Sequence, residues 1–129
     1  MKKSALKYEA DVAHRRKHRW DKPHAEIIRQ DGGSVGKCPS TLDDKAAQGL
    51  LDAGIPYWGR YRRKSRPERV YNVHEGVPYR AHIMGDRYHG FPEVPSELPP
   101  KNREKLREKA VAEGHAEQFN EWLKRYETL

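Results

Sequence analysis

Several features that would narrow the function of this sequence are missing from it. Only one cysteine, Cys38, occurs in 129 residues. No internal disulfide can form, so a reducing compartment such as the cytoplasm is expected, a trait shared by proteins delivered into a cytosol from outside. Nowhere do about 18 apolar residues follow one another, as a membrane-spanning helix requires. The N-terminal stretch MKKSALKYEADVAHRRKHRW lacks the apolar centre of a secretory signal. Hydrophobic residues make up 35% of the chain, and its length suits one domain rather than two. No internal repeat and no low-complexity tract is evident.

Motifs of established chemistry are equally scarce. Gly32-Gly33-Ser34-Val35-Gly36-Lys37 lacks both the phosphate-loop spacing and the Ser or Thr after the lysine, and reads better as a turn. His14 and His18 stand four apart, a spacing that can grip a metal. Arg15, Arg16, Lys17 and Arg19 around them disfavour a dication, and a structural zinc site would need a fuller ligand set. Cys38 has no evident partner for thiolate chemistry. Glu26 and Glu75 rank low as general bases, Glu75 because it falls in a turn. Neither a metal nor a cofactor is expected.

What is present is charge, 26 Lys plus Arg against 19 Asp plus Glu, for a net +7. It is concentrated in two blocks. Residues 1–30 and residues 56–91 each carry +5, whereas residues 31–55 carry −2 and residues 92–129 carry −1. The first block holds HRRKHRW (His14 to Trp20) and the second RYRRKSRPER (Arg60 to Arg69), with Trp20, Tyr57, Trp58 and Tyr61 within or beside them. Clustered Arg and Lys neutralise phosphates and release counterions. Interleaved aromatics offer stacking platforms for unpaired bases, which favours RNA over duplex DNA. The expected contacts are Arg15, Arg16, Lys17 and Arg19 in the first block. In the second they are Arg60, Arg62, Arg63, Lys64 and Arg66, with Trp58 or Tyr61 stacking a base. A membrane partner is not expected, because no strong apolar face opposes the basic stretches.

Periodicity predicts a basic N-terminal helix over residues 4–19, with Ser4 as N-cap, within a segment 1–22 closed by Asp21 to Pro23. A hairpin follows over 24–38, turning at Asp31-Gly32-Gly33. Ser40 to Asp43 resembles a capping box ahead of a helix carrying Ala46, Ala47, Leu50 and Leu51, with Gly54 as its left-handed terminator. Residues 55–69 read as a loop, and 92–100 as a proline-rich linker. The segment 101–127 is helical, divided near Gly114. It ends in the best amphipathic stripe of the chain, Phe119, Trp122, Leu123 and Tyr126.

The most informative segment is RVYNVHEGVPYRAHIMGDRYHGF, Arg69 to Phe91. A three-residue loop His74-Glu75-Gly76 would pair Val73 with Val77. It would gather Tyr71, Val73, Val77, Tyr79, Ala81 and Ile83 on one apolar face. Asn72, Arg80, His82 and Met84 would then occupy the other face. A turn at Gly85-Asp86 sets His82 opposite His89, Arg80 opposite Phe91 and Met84 opposite Arg87. That places the two imidazoles about 4.5–5.5 Å apart at Cβ. Two histidines can remove and supply protons near neutral pH, and arginines stabilise charge on a phosphoryl group. His82 and His89 are therefore the candidate acid–base pair, with Arg80 and Arg87 holding phosphate and Asn72 beside them.

The expected fold is a single α+β domain. A small antiparallel sheet, the β-meander 69–91 plus the hairpin 24–38, is covered on one face by helices that include the amphipathic C-terminal one. Its other face is open and basic. In layout this is similar to small ribonucleases of the bacterial toxin kind, with no diagnostic motif that would carry residues across. The expected function is nucleic-acid binding directed at RNA, with metal-independent ribonuclease activity. The alternatives are a non-catalytic RNA or DNA binder, and an inhibitor-like module docking on an acidic partner protein. Charge and composition do not specify an oligomeric state.

Overall fold

A computed structural model describes residues 6–8, 20–30, 32–59, 66–85 and 87–129. The helix expected over 4–19 is corrected at residues 6–8, which are not helical because Tyr8 forms a β-bridge with Tyr88; its remaining residues lie outside the described ones, as do Arg15, Arg16, Lys17, Arg19, Arg60, Tyr61, Arg62, Arg63 and Lys64. The elements in chain order are β1 (Glu26–Gln30), β2 (Gly33–Lys37), α1 (Asp44–Asp52), β3 (Ile55–Tyr57), β4 (Arg69–His74), β5 (Val77–Met84) and β6 (Arg87–Pro92). A 3-10 turn (Pro95–Glu97), α2 (Pro100–Ala112) and α3 (Ala116–Arg125) complete them. The hairpin β1–β2 forms one sheet, and β3-β4-β5-β6 form a second, antiparallel one. The α+β class expected from the sequence is present.

Local chemistry accounts for most of the boundaries. Asp43, not Ser40, caps α1: its Oδ1 accepts the Ala46 N–H at 2.8 Å. Gly54 does not end α1 in a left-handed conformation, since it is absent from the residues of positive φ. Its lack of a side chain matters for packing, because a Cβ there would stand 2.3 Å from Val70 Cγ1. Gly114, at φ +81, does separate α2 from α3. Residues 55–57, expected in a loop, add β3 to the edge of β4. The proline-rich stretch is ordered, with Pro92 closing β6 and Pro95 starting the 3-10 turn.

The first meander hairpin corrects the expected register. Glu75 (φ 52) and Gly76 (φ 84) both take positive φ, as a two-residue type I′ turn requires. His74 therefore pairs with Val77, Val73 with Pro78 and Tyr71 with Arg80. A one-residue change of register exchanges the faces of a strand. Tyr71 and Val73 thus share a face with Arg80 and His82, while Val70 and Asn72 share the other with Tyr79 and Ala81. Alternation could not reveal this, because Val70 to Val73 are all buried. The second hairpin has the expected pairs, His82 with His89, Arg80 with Phe91 and Met84 with Arg87.

Both faces of the sheet are covered, not one. Tyr71 and Val73 pack with Leu98, Leu106, Ala110 and Phe119 beneath α2 and α3. On the opposite face Val70 and Tyr88 pack with Leu51 of α1, and Leu6, Tyr8, Ala81 and Ile83 join them. Each fully buried large side chain contributes about 1.5–3 kcal/mol. The edge of β6 is covered in two pieces. Tyr8 bridges Tyr88, with Tyr88 N donating to Lys7 O at 2.9 Å. Further along, β2 lies so close that a Cβ on Gly36 would meet Pro92 O at 2.2 Å. The hairpin is tied to α3 by Ile27, Trp122 and Tyr126, and Ile27 N donates to Tyr126 Oη at 3.2 Å.

Candidate functional site

Where β5 and β6 continue beyond the helices, their face becomes the floor of a groove of about 440 Å³. Arg80, His82, His89 and Phe91 form the floor. Ser34, Val35 and Gly36 of β2 form one wall, and Glu93, Val94 and Glu97 form another. Strand alternation explains the floor, because residues 80 and 82 and residues 89 and 91 point to one side of paired strands.

The two histidines are direct cross-strand partners. They do not lie on an open face, however: His89 is 6% exposed, at the floor of a groove that β2 and the segment Glu93 to Glu97 also line. His82 is half-buried, and its Nδ1 is enclosed with no hydrogen-bond partner. That leaves Nε2 as its nitrogen available to solvent or ligand. Burial lowers the pKa of His82 below the ordinary value, and the Arg80 and Arg69 guanidiniums lower it further, with Glu68 opposing them. Near neutral pH its imidazole is therefore neutral.

Arg80 is fixed from two sides. Its Nε stands 3.1 Å from Glu93 Oε2, an ion contact whose angle falls short of a hydrogen bond. Its guanidinium lies 4.9 Å from the Phe91 ring centre. Glu93 is itself buried, with Oε1 accepting the Val94 N–H at 2.9 Å. Burial pushes its carboxyl above the ordinary value, and Arg80 and the Val94 N–H pull it back. The contact engages Nε rather than the terminal guanidinium edge, the one that grips phosphate bidentately. Arg69 pairs with His82 across β4 and β5, and donates to Tyr71 Oη at 3.1 Å.

The remaining expected residues are dispersed. Asn72 is a correction. It is buried on the opposite face, where its Nδ2 donates to Leu50 O at 2.8 Å and its Oδ1 accepts from Lys109 Nζ at 2.6 Å. The one-residue register difference placed it there. Arg87 is exposed at the turn and does not line the groove. Trp58, 37% exposed, and Arg66 lie outside it as well. Conversely, Glu93, Phe91 and the wall Ser34 to Gly36 belong to the site and were not assigned to it from sequence. The alternation His89, Phe91, Glu93 along β6 and beyond was the available signal for two of them. The wall depends on tertiary packing.

Among the described residues, no group of three or more His, Cys, Asp or Glu could hold a metal ion. No helix of the described residues is long and apolar enough to cross a membrane. No protein family, no curated protein and no solved structure matches the chain.

Proposed function

We propose that the chain acts on RNA and cleaves its phosphodiester backbone through the neighbouring 2′-hydroxyl. The observation that carries this reading is the cross-strand pairing of His82 with His89 on the floor of one groove with Arg80. Two imidazoles on adjacent strands can serve the two oxygens of one phosphate, the one attacking and the one leaving. His82, kept neutral by burial and by Arg80 and Arg69, takes the 2′-hydroxyl proton. The 2′-oxygen bonds to phosphorus, and the bond from phosphorus to the 5′-oxygen breaks. His89 supplies the proton that the leaving 5′-oxygen needs. The products are a 2′,3′-cyclic phosphate and a 5′-hydroxyl end. Arg80, prepositioned by Glu93 and Phe91, offsets the negative charge that grows on the phosphoryl oxygens.

End-labelled RNA incubated with the purified protein in EDTA tests the reading. Wild type is expected to leave cyclic phosphate ends, and His82→Ala and His89→Ala each to lose about 10²–10⁴-fold in rate. No cleavage by wild type, or equal cleavage by all three, would overturn it. The low exposure of His89 favours one second reading, binding in the same groove without cleavage. A steep fall of affinity with salt and no new ends would identify it.

A further inference from the structure

Resting on that reading, we propose that the groove accepts only single-stranded RNA, one nucleotide at a time, and rejects a duplex. His89 is 6% exposed at the bottom of the groove, so a substrate phosphate must descend between the walls to meet both histidines. One wall is held against the floor by the close approach of Gly36 to Pro92, and the other is anchored through Glu93, whose carbonyl accepts the Trp122 indole N–H at 3.0 Å. Neither wall is a long mobile loop. In a duplex each strand carries its partner beside it, so the strand cannot enter a slot walled on two sides. Enzymes that act inside a stack meet the same obstacle and take their nucleotide out of it.

The size of the groove agrees. A volume of about 440 Å³ leaves room for a single nucleotide at the floor. The chemistry points the same way, because attack by the 2′-oxygen needs it in line with the leaving 5′-oxygen. A regular helix holds the backbone away from that geometry, whereas a single strand can turn into it. The groove also suggests where the base goes. One side of the Phe91 ring is already faced by the Arg80 guanidinium at 4.9 Å, so Phe91 is poorly placed as a stacking platform. Met84 lines the groove and is 48% exposed. An unpaired base leaving the floor would lie against that thioether, a contact indifferent to sequence.

Binding separates this inference from the catalytic one when the strand cannot be cut. A short fluorescent 2′-O-methyl RNA, which lacks the attacking hydroxyl, is titrated with the full chain by anisotropy. The same strand annealed to its complement is titrated in parallel at the same salt. The single strand is expected to bind at least roughly tenfold more tightly. Ser34→Glu, which adds a negative charge to the exposed wall, is expected to lower single-strand affinity several-fold. Val111→Glu, placed on the 58% exposed position of α2, should leave it unchanged. Equal affinity for the two RNAs, or equal effects of the two substitutions, would overturn the single-strand assignment while leaving an RNA-directed function standing. No binding of either RNA would overturn both.

Discussion

One face of the four-stranded sheet carries two opposite environments. Along β4, Tyr71 and Val73 are 0% and 1% exposed beneath Leu98, Leu106 and Phe119. Along β5 and β6, the same face presents Arg80, His82, His89 and Phe91 to a groove. The contrast shows what decides where helices dock. Against β4 a helix buries apolar area. Against Arg80 and His82 it would strand charged and polar groups away from water, at a cost of several kcal/mol for an unpaired ion. The elements that do reach that half are a glycine-containing hairpin and a 3-10 turn, whose backbones leave space over the floor. The Glu93 carboxylate is buried on that side and stands against the Arg80 guanidinium, with Arg69 adding to the attraction.

The largest expected effect attacks the packed half. Phe119 is fully buried, and Phe119→Ala should cost about 3–5 kcal/mol in urea unfolding. Cleavage per folded molecule should stay near wild type. If activity at temperatures well below unfolding falls in step with stability, the two halves form one unit and the contrast fails.

A smaller effect probes the wall between them. Gly36→Ala places a Cβ where Pro92 O now sits, 2.2 Å away, so β2 must lift from β6. Overpacking of this kind costs about 1–3 kcal/mol. Hydrogen exchange should rise in β2 while α2 and α3 keep their protection. The discrimination between single-stranded and duplex RNA should shrink, since the wall that enforces it has moved. Faster exchange with unaltered discrimination would show that the wall does not select the substrate.

The sequence made the apolar half easier to read than the polar one, for physical reasons. The stripe Phe119, Trp122 and Tyr126 is legible because a helix with one buried face imposes a period. The second hairpin is legible because Gly85, at φ +69, admits one register that pairs Ile83 with Tyr88 and His82 with His89. The first hairpin is not. Glu75 adopts a positive φ that its residue type does not announce, and β4 is buried on both faces, so hydrophobicity gives no sign of its register. That single ambiguity misplaced Asn72. The groove walls were illegible for another reason: Ser34 and Glu97 meet the floor only through tertiary contacts far apart in sequence. The basic stretches 15–19 and 60–64, legible as charge, lie outside the described residues.

The smallest effect is a slope of stability against pH, and it distinguishes the groove from the core most directly. Because the His82 pKa is lowered in the fold, the unfolded chain binds a proton first as pH falls through the ordinary value of 6.5. Stability from this group is therefore complete above 6.5 and declines as pH drops towards the folded value. Glu93 acts in the opposite sense. Its pKa is raised above 4.5, so its contribution is complete below that value and is lost as pH rises through the folded one. His82→Gln should flatten the melting-temperature profile only in the window just below pH 6.5. It also removes an enclosed Nδ1 without a partner, so stability at low pH should hold or rise while cleavage is lost. A variant that loses both activity and stability at every pH would mean that His82 supports the packing of the sheet, and that the polar half is core after all.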